Sequence, residues 1–383
     1  MSQQDSNLFL RALWASLRAR FGKLGWQYSP HKDGPRQRIG FGWMTLGSTS
    51  PDGVGVSIQY ARVGVIKAIE FVPRGTILTI HPLLEGILRE CVEEAVGRMR
   101  TPIRISCSTQ VASFPRIPVG YYRGDGWYFG PLDNGNTEIG ITVRAFDKPD
   151  ADYDFASRLP SLLDVLACMT NCAFERVNGA GGRTSASEEA LNSYFDKPDW
   201  LEDFPIDDGH LRLTLPQLKF LTGLLEGPVS EDRVTRAARM FHKALTLFRR
   251  VPKCLDVSTA LFVSALEAVD LPSASPAVCP KCSQPVYKIS RRVVDLGIRH
   301  LGPNVERIFK DHYQLRSMYL HRGEVRSSRP ISPHFIPLLD PDGVEGCAMP
   351  AVTNQPLNLM EFTGFVIRAE LLLGKPNDAA PLG

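Results

Sequence analysis

Between Ser230 and Leu373 apolar residues return at helical spacing in one segment after another, and no other feature narrows the fold as far. Val234, Ala237, Phe241, Leu245 and Phe248 make one stripe. Ser230 is placed as its N-cap, with Glu231 and Asp232 in the first turn, where acidic groups complement the helix dipole. A second helix is expected from about Asp256 to Val269, ended by Pro272. Others are expected from about Ser290 to Leu301, from about Asn304 to Arg322 and from about Leu357 to Leu373. Gly323 stands where a helix commonly closes in the left-handed conformation. Four or five helices joined in this way pack as a bundle.

The first half reads differently. Val54–Gln59 and Arg62–Phe71 are rich in Val and Ile, while Trp127–Phe129 and Thr137–Val143 flank Asp133-Asn134-Gly135-Asn136, a hairpin signal. Helices are expected over Leu10–Phe21, Leu84–Val96 and Leu162–Cys172, and a turn-rich segment over His31–Arg38. Past Asn178 the pattern loosens, with one short helix near Leu215–Leu225. Gly179–Gly182 lacks the Lys-Ser/Thr ending of a phosphate loop and reads as a surface loop. A chain of 383 residues fits two domains better than one. The expectation is an α+β N-terminal domain over 1–180 with a sensing or regulatory role, a linker over 181–229, and an all-α bundle over 230–383.

Hydrophobic content of 43% with 22% charged residues argues against a disordered chain or a fibre. No apolar run approaches the ~18 residues of a transmembrane helix. The first helix interleaves Arg11, Arg18 and Arg20, unlike a secretory leader. A cytoplasmic protein with free thiols and no membrane partner is expected. The net charge of +3 hides an asymmetry: from Glu231 to Pro330 there are 18 Lys/Arg against 9 Asp/Glu. Such a field suits a polyanion such as nucleic acid, or is simply a solvated basic surface.

Chemistry concentrates in Tyr313-Gln314-Leu315-Arg316-Ser317-Met318-Tyr319-Leu320-His321-Arg322-Gly323. This segment resembles the signature of HEPN domains, in particular the Apea-like branch, in which an Arg, a small polar residue, three mostly apolar residues and a His close a long helix before a glycine. Ser264-Ala265-Leu266-Glu267-Ala268 resembles that branch's second helix and Ser290-Arg291-Arg292-Val293 its third, so the resemblance spans roughly residues 230–373. It implies a HEPN-like bundle and a metal-independent endoribonuclease of the toxin or anti-phage defence type. It also implies a homodimer acting on RNA, with no cofactor for catalysis. In that picture the N-terminal half answers a trigger ligand or phage protein.

Three Arg-x4-His spacings occur: Arg307/His312, Arg316/His321 and Arg329/His334. The last is interrupted by Pro330 and Pro333, and in the first His312 falls on an apolar stripe. Only the second has Ser317, a helix end and the following glycine. His moves protons near neutral pH, and a planar Arg fork holds charge building on phosphoryl oxygens. Both are expected to face solvent or RNA. Ser317, His312 and Arg322 are supporting residues. Glu267, a carboxylate in an apolar helix, either anchors Arg316 or pairs with another basic residue. The alternative to a nuclease is a non-catalytic nucleic-acid or protein-binding module.

Cys279-Pro280-Lys281-Cys282 has the spacing of half a structural zinc site, with Cys254, His300, Cys347 or a partner chain to complete it, or it holds two free thiols.

Overall fold

The computed structural model describes residues 2–22, 24, 27–33, 36–44, 53–60, 64–74, 79–177, 194–197, 200–201, 203–227, 232–251, 254–269, 277–278, 285–286, 289–323, 337–339, 348–350 and 359–373. The chain divides into two compact units, Met1–Cys107 with Thr142–Phe155, and Ser108–Ile141 with Ala156–Gly383.

In the first unit, α1 (Gln3–Phe21) precedes an antiparallel meander of β1 (Gln27–Asp33), β2 (Arg36–Met44), β3 (Gly53–Tyr60) and β4 (Ile66–Arg74), followed by α2 (Pro82–Arg98). The turn-rich segment expected over His31–Arg38 is narrower: His31 pairs with Arg38 and Asp33 with Arg36 in a ladder of backbone bonds, and only positions 34 and 35, outside the described residues, lie between the strands. Strand pairing uses the main chain, so Pro, Lys and Arg in these strands gave no periodic signal. Helix α1 opens with a capping box in which Ser2 and Asp5 each bond the other's backbone N–H at 3.0 Å. Its Phe9, Leu13 and Leu17 share a core with Leu88, Cys91 and Ala95 of α2 and Val54, Val56 and Ile58 of β3. The arginines on its polar side are tied down: Arg11 grips Asp150 at 2.8 and 3.1 Å, and Arg18 grips Asp147 at 2.7 and 2.9 Å.

A second sheet holds β5 (Ile103–Phe114), β6 (Tyr122–Gly124), β7 (Trp127–Pro131), β8 (Thr137–Ala145) and β9 (Ala173–Val177), in the order β6-β7-β8-β5-β9. The β7–β8 hairpin closes as its Asn-Gly pair predicts. Gly135 has φ +77°, a value that L side chains rarely adopt, and Pro131 lies opposite Thr137. Helix α3 (Lys148–Thr170) is longer than the apolar run that foretold it.

The second unit is mainly helical. After α4 (Leu215–Glu226), capped by Thr214 and Gln217, come α5 (Arg233–Arg250), α6 (Leu255–Val269), α7 (Ile289–Leu301), α8 (Glu306–Arg322) and α9 (Leu359–Leu373). The N-cap of α5 is Asp232, whose carboxylate accepts the Thr235 N–H at 2.8 Å, rather than Ser230; Ser230 and Glu231 lie outside the described residues. Helix α6 packs on α5, α7, α8 and α9, and its buried residues ring the helix, as a central helix requires. Between α7 and α8 the spacing is set by Gly297, where an added Cβ would meet the Phe309 ring at 2.5 Å. Two buried polar devices brace the unit. His242 contacts Asp164 at 2.8 Å and the Phe174 backbone at 3.0 Å. Arg368, 2% exposed, donates to the backbone oxygens of Cys168 and Trp200, both at 2.8 Å, and lies 3.9 Å from the Trp200 ring centre.

Candidate functional site

Helix α8 carries most of the candidate residues, and its ends follow from its sequence. A tight turn at Pro303–Val305 leads in, and Gly323 closes it in the left-handed conformation (φ +67°), donating its N–H to the Tyr319 oxygen at 3.0 Å. His321 and Arg322 therefore stand exposed in the last turn.

Arg316 points elsewhere. Its Nη2 donates to Glu267 Oε2 of α6 at 2.6 Å, with both side chains largely buried at 17% and 16% exposure. Of the two readings left open for Glu267, the structure takes the anchor. Arg316 also lies 5.6 Å from the centre of the Tyr313 ring. The pair is joined through one arm only, because Arg316 Nε and Glu267 Oε1 are buried without a partner. Burial pushes the Glu267 carboxyl up, against the Arg316 cation and the Tyr313 hydroxyl, which pull it down. The expectation that Arg316 and His321 both face solvent therefore needs correcting for Arg316. Five residues along a helix turn about 140°, and that rotation sends one side chain to α6 and leaves the other at the exposed end.

The chain matches no family model, no curated protein and no solved structure. The side chains themselves carry the functional reading.

His312 is a core residue. It is 7% exposed, its Nδ1 has no hydrogen-bond partner, and burial pulls it down to about 4 from its ordinary value near 6.5. A depressed histidine is neutral in the fold and binds a proton on unfolding, so stability falls as pH drops from about 6.5 towards 4. His312→Leu is expected to remove up to ~3 kcal/mol of that loss. Denaturant unfolding of both proteins at pH 7 and 4.5 checks this; equal losses would place the acid sensitivity elsewhere.

Ser317 lines a groove between α7 and α8 with Tyr313 and Gln314. Tyr313, in the same motif, touches both Glu267 and Arg316, and its place three residues before Arg316 is the signal the sequence holds for this. For metal, no three His, Cys, Asp or Glu side chains are grouped to hold an ion among the described residues. Cys279, Cys282 and Cys347 lie outside those residues. Of the other candidate ligands, Cys254 is a free thiol and His300 is engaged by Glu370 at 2.7 Å. No helix among the described residues is long and apolar enough to cross a membrane.

Proposed function

We propose that this protein is a HEPN-type, metal-independent endoribonuclease, of the toxin or anti-phage class, acting as a homodimer in the cytoplasm. The observation that carries the reading is His321: an exposed imidazole in the last turn of α8, five residues after an Arg fixed by a buried carboxylate. His321 moves the proton at the 2′-hydroxyl or the leaving 5′-oxygen, and Arg316 balances charge on the phosphoryl oxygens. One helix presents the two poorly to one phosphate. A two-fold axis across α8 would bring two such pairs to the rim of one cleft using the same patch twice. In this reading Cys279 and Cys282 hold at most a structural zinc, and the N-terminal half answers a trigger.

Two results are expected. Cleavage of single-stranded RNA by the purified chain persists in EDTA, and the products carry 2′,3′-cyclic phosphate ends, as attack by the 2′-hydroxyl requires. Products ending in 3′-hydroxyl would exclude this chemistry. Mixing inactive Arg316→Ala and His321→Ala chains should restore part of the activity through mixed dimers. A monomer fully active at nanomolar concentration would remove the shared site.

One observation favours the second reading, a non-catalytic binding module with a basic bundle. Arg316 is already partnered, and a guanidinium held in an ion pair is also what a structural strut looks like.

A further inference from the structure

From the groove between α7 and α8 we infer a subsite for one unpaired nucleotide of an RNA strand, set beside His321. The inference rests on the nuclease reading for the role of His321 and on its own observations for the groove. The groove is a shallow depression of about 420 Å³, widely open to solvent. Its lining mixes apolar, polar and charged groups. Val294 and the Tyr313 ring give an apolar face, while Ser290, Gln314 and Ser317 add hydroxyl and amide groups. Arg291 and Lys310 add two cations to the lining.

That pattern matches a nucleotide part by part. A base has two apolar faces and a polar rim, so it stacks on an aromatic ring and takes hydrogen bonds at its edge. The ribose 2′-hydroxyl both donates and accepts, as the serines and the amide require. The flanking phosphates need cations. Arg291 is held by Asp295 at 2.9 Å and Lys310 by Glu306 at 2.6 Å, but these are exposed pairs one turn apart on a helix. Such pairs are worth ~0–1 kcal/mol, so exchanging a carboxylate for a phosphate costs little. Over Ile289–Arg322 there are seven Lys/Arg against three Asp/Glu, and once Glu267 and Glu370, which pair with Arg316 and Arg299, are counted a net of +2 remains. A duplex would keep both faces of each base covered by its neighbours, so the strand must be single.

Position ties the groove to the chemistry. Lys310, Gln314 and Ser317 recur at steps of four and three along α8, and one further step of four reaches His321. All four fall within about 60° of one another around the helix, and His321 lies ~6 Å beyond Ser317 along its axis. A nucleotide seated in the groove thus sends its backbone towards the imidazole. Arg316, about 120° from this stripe, does not line the groove.

The test uses the full chain carrying His321→Ala, so that RNA is bound without being cut, and a fluorescent single-stranded RNA of mixed sequence read by anisotropy. Arg291→Glu and Gln314→Ala are each expected to raise Kd about tenfold. Arg236→Glu on α5, the same charge reversal away from the groove, is expected to raise it less than about threefold. RNA containing 4-thiouridine should cross-link to Tyr313 in the otherwise unaltered chain. Unchanged Kd in both groove variants, or cross-links mapping outside α7 and α8, would overturn the subsite whether or not the protein cleaves RNA. Binding that depends on the groove in a protein that never cleaves would keep the subsite and remove the nuclease reading.

Discussion

Replacing His321 with alanine is expected to lower RNA cleavage by roughly 10²–10⁴-fold, the range for loss of a proton-transfer group, with the melting temperature within ~1 °C of the parent. The side chain is exposed in the last turn of α8, and its loss leaves no cavity. Arg316→Ala should behave differently, losing activity and stability together, because its guanidinium is bonded to Glu267 at 2.6 Å in largely buried surroundings. Initial rates on one RNA, with calorimetry on the same preparations, separate the two. Equal cleavage by parent and His321→Ala ends the enzyme reading.

The second large effect is on folding. Glu267→Ala should destabilise the helical unit by ~2–3 kcal/mol, below the ~3–5 kcal/mol of a fully buried pair because both side chains keep some exposure. In a unit of this size that is about 5–10 °C in Tm. The loss comes from stranding the Arg316 charge. Replacing both partners with apolar residues, Glu267→Leu with Arg316→Met, should therefore recover most of it. If the double variant is as unstable as the sum of the two single ones, the residues are not coupled and the anchor is wrong.

Much of the helical half was legible in sequence because its signals are local. Asp256–Val269 was bounded to within one residue, since α6 reads as apolar text ended by proline, and Gly323 marked the end of α8. The strands were harder. In β5 apolar and polar residues alternate over Ile103–Ser108, a strand signal that was there to read, but the pattern breaks from Thr109 onward. Its polar side chains find partners on β8, Ser106 with Thr142 at 3.1 Å and Ser108 with Glu138 at 3.0 Å, a pairing that only the fold creates. The site divided the same way. That Glu267 needed a cation followed from its apolar neighbours, but which of many basic residues met it is a matter of tertiary packing. The ~140° between Arg316 and His321 follows from helix geometry, whereas the groove needed α7 laid beside α8.

Gly297 gives that groove a calibre. The gap between α7 and α8 is held by the absence of a single methyl group, since a Cβ there would press on Phe309 at 2.5 Å. Two rigid rods brought together by one missing carbon act as a gauge whose jaw opens by fractions of an ångström with each added atom. Alanine at 297 would wedge the rods apart and serine further still, so the width of what passes between them can be reset at a position that never touches it.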